Sequence, residues 1–288
     1  MTSSRPPIKG ERAIAPPSPG GGLLVHLVLN VETWAFDRPM PRKIIGAPQG
    51  VDTTPDVPNF SWVEYGMRRG LPRLVQAMTD RQLPASVSFN AAVADDYPEA
   101  TKELVATGWE FLGHGVTQGT LHKVPDERAT ILETLDRIEA ATGTRPRGWL
   151  GPGLQETDRT LDLLAEVGVE YVLDWVVDDL PVWLETSTRP VLAVPYSLEL
   201  NDSVLFAAHD YPDSEFDVRF DATLARLLSE LDEGPRVMAL PLHPHLMGVP
   251  HRIASLERAL DTLLACDQAT FVTPGQIANW FTAAGPTR

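Results

Sequence analysis

The 288-residue chain has a single cysteine, Cys266, so no disulfide can close within it and nothing calls for an oxidising compartment. It has no apolar run of about 20 residues, the length a membrane-spanning helix requires. Residues 1–22 are rich in Pro, Gly and Ser and lack the apolar centre of an export signal, and the expectation is a cytoplasmic protein. Positive charge is also scarce. Against 39 Asp and Glu stand 24 Lys and Arg, a net −15 that repels phosphate backbones and anionic lipid and argues against nucleic-acid and membrane partners. No Gly-rich fingerprint follows the first apolar strand, so nucleotide binding has no support.

What is present is ample apolar material, 43% of the chain, enough for one large core. Residues 1–22 carry Pro6, Pro7, Pro16, Pro17 and Pro19 and read as an irregular surface arm. Residues 23–29 form a continuous apolar run, the mark of a strand buried on both faces. Residues 35–66 read as one long loop, with Trp62 and Tyr65 either at subunit contacts or covering the barrel. Beyond it, segments with helical spacing alternate with short apolar strands. Helices are expected over 71–81, 97–107, 125–143, 157–167, 217–231 and 254–264 and after Pro274; strands over 83–90, 109–114, 148–151, 170–174, 237–242 and 270–273; and two extended segments between 191 and 208. Thr157 is the expected N-cap of its helix, and Gly143 and Gly168 are the expected stops. Seven or eight β/α units without a composition break predict a single α/β barrel over residues 23–288.

In a parallel barrel the chemistry gathers where strands end, so polar residues that terminate apolar strands carry the information. They are Asn30 and Glu32 after the first strand, Asn90 after the second, His114 and Gln118 after the third, Asp174 to Asp179 after the fifth, and His243 and His245 near the seventh. His114 lies between Gly113 and Gly115 and reads either as a core histidine bonded to a carbonyl or as a ligand or proton carrier. Glu32 emerges from an apolar strand and must be solvated, paired or metal-bound. Pro244 separates His243 from His245, so one imidazole of the two is expected to reach the centre, His243. His26 reads as structural, and Asp178-Asp179 reads equally as a surface turn or as a site wall.

The ordered motifs Asn30-Val-Glu32, His114-Gly-Val-Thr-Gln118, Arg145-Pro-Arg-Gly-Trp149 and Leu242-His243-Pro244 resemble the polysaccharide deacetylases of the NodB-homology superfamily, over nearly the whole chain. With Asp174, Asp178-Asp179-Leu-Pro-Val-Trp183 and residues 242–252, the sequence looks most like the allantoinase-like and cyclic-imide hydrolase branch. The resemblance implies a distorted (β/α) barrel of seven or eight units. It places Asn30 where the family has a base aspartate, Glu32 at the metal-binding acid, His114 and Gln118 at the two metal histidines, and His243 at the acid. Asn30 cannot be a base, and Gln118 offers a neutral amide oxygen where a metal prefers imidazole. The expectation is therefore a hydrolase of a non-peptide C–N bond in a small amide or cyclic imide or ureide, with Glu32, His114 and His243 catalytic. Asn30, Trp34, Trp149, Trp175, Asp178, Asp179 and His245 are expected to contact substrate. Glu32, His114 and Gln118 would hold at most a weakly bound zinc. A metal-dependent N-deacetylase of sugars and an inactive ligand-binding homologue are the alternatives. A small-molecule substrate and self-association into a homo-oligomer complete the expectation.

Overall fold

Leu23–Val31 is a strand with all nine residues buried, and its side chains divide by a period of two. Leu23, Val25, Leu27, Leu29 and Val31 join one apolar cluster with helical residues such as Leu74, Phe216 and Leu260. Leu24 and Val28 join another with Leu112, Tyr171, Leu192 and Phe281. The odd positions thus face a helical layer and the even positions face the inside of a curled sheet. The same parity carries His26, Asn30 and Glu32 inward.

The computed structural model describes residues 6–10, 14–17, 21–47 and 50–285. Its strands are β1 (Ile8–Gly10), β2 (Leu23–Val31), β3 (Ser86–Phe89), β4 (Glu110–Gly113), β5 (Gly148–Trp149), β6 (Tyr171–Val172), β7 (Val182–Leu184), β8 (Val191–Ala193), β9 (Arg236–Leu242) and β10 (Ala269–Phe271). They run β1-β7-β8-β6-β5-β4-β3-β2-β10, with β9 on the other edge of β2. All pairings are parallel except those that β7 makes with β1 and β8. Val237 N donates to Asp179 O at 2.9 Å, which ties β9 to the chain just ahead of β7 and draws the sheet into a half-barrel. This is the expected α/β barrel in a distorted form. Among the described residues no helix is long and apolar enough to cross a membrane.

Four local expectations are corrected. Ile8–Gly10, inside the supposed irregular arm, pairs with β7 as an edge strand; residues 1–5, 11–13 and 18–20 lie outside the described residues. The long loop ends at residue 56, because Val57–Tyr65 is helical, with the Asp56 carboxylate accepting from Asn59 N and Pro58 in the first turn. Its apolar residues are scattered around the helix instead of forming a stripe, which hid it from a periodicity argument. The second extended segment expected before residue 208 is a π-helical turn, Ser203–Ala208. The helix expected from Thr157 begins at Thr160, and the hydroxyls of both threonines donate to Glu127. Gly143 does stop its helix, at φ 77°.

The Val57–Tyr65 helix passes through a π-turn, Gly66–Gly70, into Leu71–Thr79. It positions part of the site. A Cβ on Gly66 would lie 2.5 Å from the His245 backbone, and one on Gly70 would lie 1.9 Å from Pro244 O. Only glycine lets this helix press against the His243-Pro244-His245 turn. Trp62 is half-buried against the core and the His245 ring.

Candidate active site

Glu32 is 6% exposed at the end of β2, His114 2% exposed after β4, and His243 7% exposed after β9. A buried carboxylate costs several kcal/mol unless opposite charge and hydrogen bonds offset it. The His243 ring does so. Its Nε2 lies 3.6 Å from Glu32 Oε1, and His114 Nε2 lies 3.3 Å from the same oxygen. Burial pushes the Glu32 carboxyl up, but the charge of His243 and the hydrogen bond from its ring outweigh it and hold Glu32 well below the usual carboxylate range.

The other nitrogen of each ring is held from behind. His114 Nδ1 faces Leu150 O, so Nδ1 carries the hydrogen and Nε2 directs a lone pair toward Glu32. His243 Nδ1 lies 2.6 Å from Asp202 Oδ1, and its backbone N–H donates to Asp202 Oδ2 at 2.6 Å. Burial would lower the His243 pKa, yet Asp202 and Glu32 together raise it to about 9, so this ring is a cation at neutral pH.

Asn90, at the end of β3, bonds the segment together. It donates to His114 O and, at 3.4 Å, to Gln118 Oε1, and its own oxygen accepts from Thr33 N at 3.0 Å. Asn30 donates to Tyr196 OH and to Leu242 O, both at 3.3 Å. Tyr196 is 5% exposed, and burial keeps its phenol protonated far above neutrality. Its oxygen already receives the Asn30 hydrogen, so its own O–H is free to donate elsewhere.

The expected metal set does not fit. The Gln118 oxygen is turned to Asn90, leaving one carboxylate and one imidazole from that set. Among the described residues no three His, Cys, Asp or Glu side chains are grouped as a metal requires. A metal-dependent deacetylase would need donors that this set does not supply.

Other expected contacts divide. His245 is 3% exposed and meets Trp34 edge-on, with ring centroids 5.8 Å apart, next to His243 at 5.9 Å. Trp149 is fully buried in a core cluster with Ile131, Leu135 and Leu164, so its ring fills space and does not wall a pocket. Asp178 and Asp179 are misplaced by the sequence reading. Asp179 O bonds Val237 at the start of β9, six residues and thus ~20 Å along the strand from His243. Asp178 caps Leu180 N in a turn, so both are surface acids at the wrong end of the barrel.

Sequence reasoning missed Asp202, Tyr196 and Glu156. Trp175 Nε1 donates to Glu156 Oε2 at 3.0 Å, while Gly151 N donates to Asp174 Oδ1 at 2.7 Å. The remaining oxygens, Glu156 Oε1 and Asp174 Oδ2, are buried without a donor, and the two carboxyls bond each other only by sharing a proton. Burial raises both; the Glu127 charge adds to it at Glu156, which rises to about 7, and the Glu156 charge adds to it at Asp174. Because these folded-state values lie above the unfolded ones, the pair favours the fold at low pH, and stability falls as pH rises from about 4.5 through about 7. Glu156→Gln is expected to stabilise the protein at pH 8 by on the order of 2 kcal/mol, a few degrees in Tm, with the gain vanishing near pH 5. Thermal unfolding of both proteins across pH 5–8 checks this; a gain independent of pH would contradict the shared proton.

Comparisons with known proteins follow the same outline. The family described as Polysaccharide deacetylase matches residues 56–172. A Pseudomonas aeruginosa PAO1 structure described as a polysaccharide deacetylase is 28% identical, with a TM-score of 0.80 over 93% of this chain and 94% of that one. The PuuE allantoinase structure is 26% identical, with a TM-score of 0.81 over 95% and 96%. A Schizosaccharomyces pombe protein described as a polysaccharide deacetylase is 24% identical over 78% of this chain and 77% of its own length.

Proposed function

We propose, from the premise that this chain carries a polysaccharide deacetylase domain of the NodB type and is a hydrolase of amide C–N bonds, that its substrate is a small amide or cyclic imide or ureide. The observation that carries this reading is burial. Glu32, His114 and His243 are each less than a tenth exposed, a setting that suits a compact substrate enclosed by the barrel mouth and not a polymer lying along a groove. The likeness to an allantoinase over 95% of the chain supports the same reading.

The roles follow from hydrogen positions. A water beside Glu32 Oε1 and the lone pair of His114 Nε2 has both hydrogens accepted, which turns its oxygen toward the substrate carbonyl carbon. Glu32 takes the proton as the C–O bond forms, and the Tyr196 O–H, whose oxygen accepts from Asn30, is assigned to the developing oxyanion. His243 Nε2–H delivers its proton to the departing nitrogen as the C–N bond breaks. The two transfers are linked. A carboxylate held so low is a poor base until the cation beside it is discharged, so the His243 proton moves toward the departing nitrogen as Glu32 takes the proton of water. The proton on Glu32 then returns to His243 and closes the cycle.

Purified protein incubated with hydantoin, succinimide, allantoin and chitooligosaccharides, each with chelator and with added zinc, tests the reading. Turnover of at least one cyclic or small amide substrate, unchanged by chelator, is expected; deacetylation of the oligosaccharide alone, dependent on zinc, would replace it with the sugar deacetylase.

A further inference from the structure

Next to the Glu32–His243 pair lie three buried polar atoms that no described residue satisfies. His245, 3% exposed, makes no hydrogen bond with a described residue, and its Nε2 is fully buried. Trp34 Nε1 is buried without an acceptor, its ring edge-on to His245. Ser203, 3% exposed, has its N–H bonded to Asn201 Oδ1 at 2.9 Å, but its hydroxyl has no partner. Ser203 also follows Asp202, the residue that grips His243. Arg42 completes the group. Among the described residues its only hydrogen bond is a long one, 3.4 Å, to Ser203 O, and no carboxylate there lies within 4 Å of it. Its charge nonetheless acts on the His245 ring.

We infer that Arg42, His245, Ser203 and Trp34 form a subsite for a carboxylate carried by the substrate, set beside the reacting bond. Buried N–H and O–H groups without acceptors cost stability in the free protein, and several in one place call for a group rich in acceptors. A carboxylate offers two oxygens and a negative charge, which match the planar guanidinium fork and the single indole and hydroxyl donors around it. The protein's own nearby carboxylates are committed, Glu32 to the two catalytic rings and Asp202 to His243. The word substrate here rests on the amide-hydrolase reading above, and it narrows that reading to amides, imides or ureides bearing an ionised carboxylate away from the bond that breaks. A neutral ring alone would leave Arg42 without a counter-charge.

Calorimetric titration with two matched probe pairs tests the subsite. One pair keeps the ring, hydantoin-5-acetate against hydantoin-5-acetamide; the other has no bond of the expected kind, glutarate against glutaramide. In the unmodified protein the carboxylate member of each pair is expected to bind at least about tenfold more tightly. That preference should shrink to within about twofold in Arg42→Gln and recover in part in Arg42→Lys, with Tm unchanged because Arg42 lies on a surface loop. Equal affinity for the acid and the amide, no binding of either acid at millimolar concentration, or a full preference retained in Arg42→Gln would overturn it. Discrimination of glutarate without hydrolysis of any hydantoin would uphold the subsite while removing the C–N hydrolase reading, so the two failures are distinct.

Discussion

Glu32→Gln is expected to lower kcat/KM by about 10³-fold on whichever small amide the protein turns over, with the folded structure retained. The glutamine is isosteric and keeps an oxygen facing the two rings, so packing around a residue only 6% exposed is undisturbed. What disappears is the acceptor that receives the proton of water, together with the negative charge that helps hold the His243 ring as a cation. Both the base and part of the acid are lost in one change. The loss should therefore exceed that of His114→Gln, which removes one of two acceptors for the same water. Steady-state kinetics on the two variants check this. Activity in Glu32→Gln within tenfold of the unmodified protein would mean that the carboxylate positions the rings and takes no proton.

Asp202→Asn is expected to move the alkaline limb of the pH–rate profile. In the unmodified protein the acid His243 is protonated up to about pH 9, so kcat/KM should be level through neutrality and fall as pH rises through about 9. Glu32 stays ionised throughout and contributes no acidic limb in that range. Without the Asp202 charge, burial would dominate and pull the His243 value toward or below its ordinary 6.5. At pH 8 the variant would then lose about 10²-fold and regain most of it near pH 6. A loss of the same size at every pH would instead mark Asp202 as a structural prop for the turn, since its Oδ2 also receives the His243 backbone N–H.

Three of the residues in this constellation were visible from sequence because they end apolar strands. In a parallel sheet such ends meet on one side, so Glu32, His114 and His243 needed no coordinates to be grouped. The same rule failed for Asp178 and Asp179. They follow β6 in the chain, but the chain then turns back to supply the antiparallel strand β7, and the backbone bond from Val237 holds them at the far end of β9. Nothing in local composition signals that reversal. Asp202 and Ser203 were invisible for a related reason. They enter the site from a π-helical turn whose apolar residues, 204–208, read as an extended segment, and they stand at its start instead of at a strand end. Trp149, expected against substrate, packs closely on Gly113 and belongs to the core.

The amino-acid sequence by itself determined the alternation of strands and helices, the even-numbered inward face of β2, and the acid and two imidazoles at strand ends, because each depends on hydrophobic period and chain order alone. Only the tertiary structure decided what those groups are chemically. Asp202 turns His243 into an acid, Asn90 draws the Gln118 oxygen aside, Leu150 sets the His114 tautomer, and glycines 66 and 70 seat the His243-Pro244-His245 turn. Each of these acts across 28 to 179 residues of chain, where only folding brings the groups together.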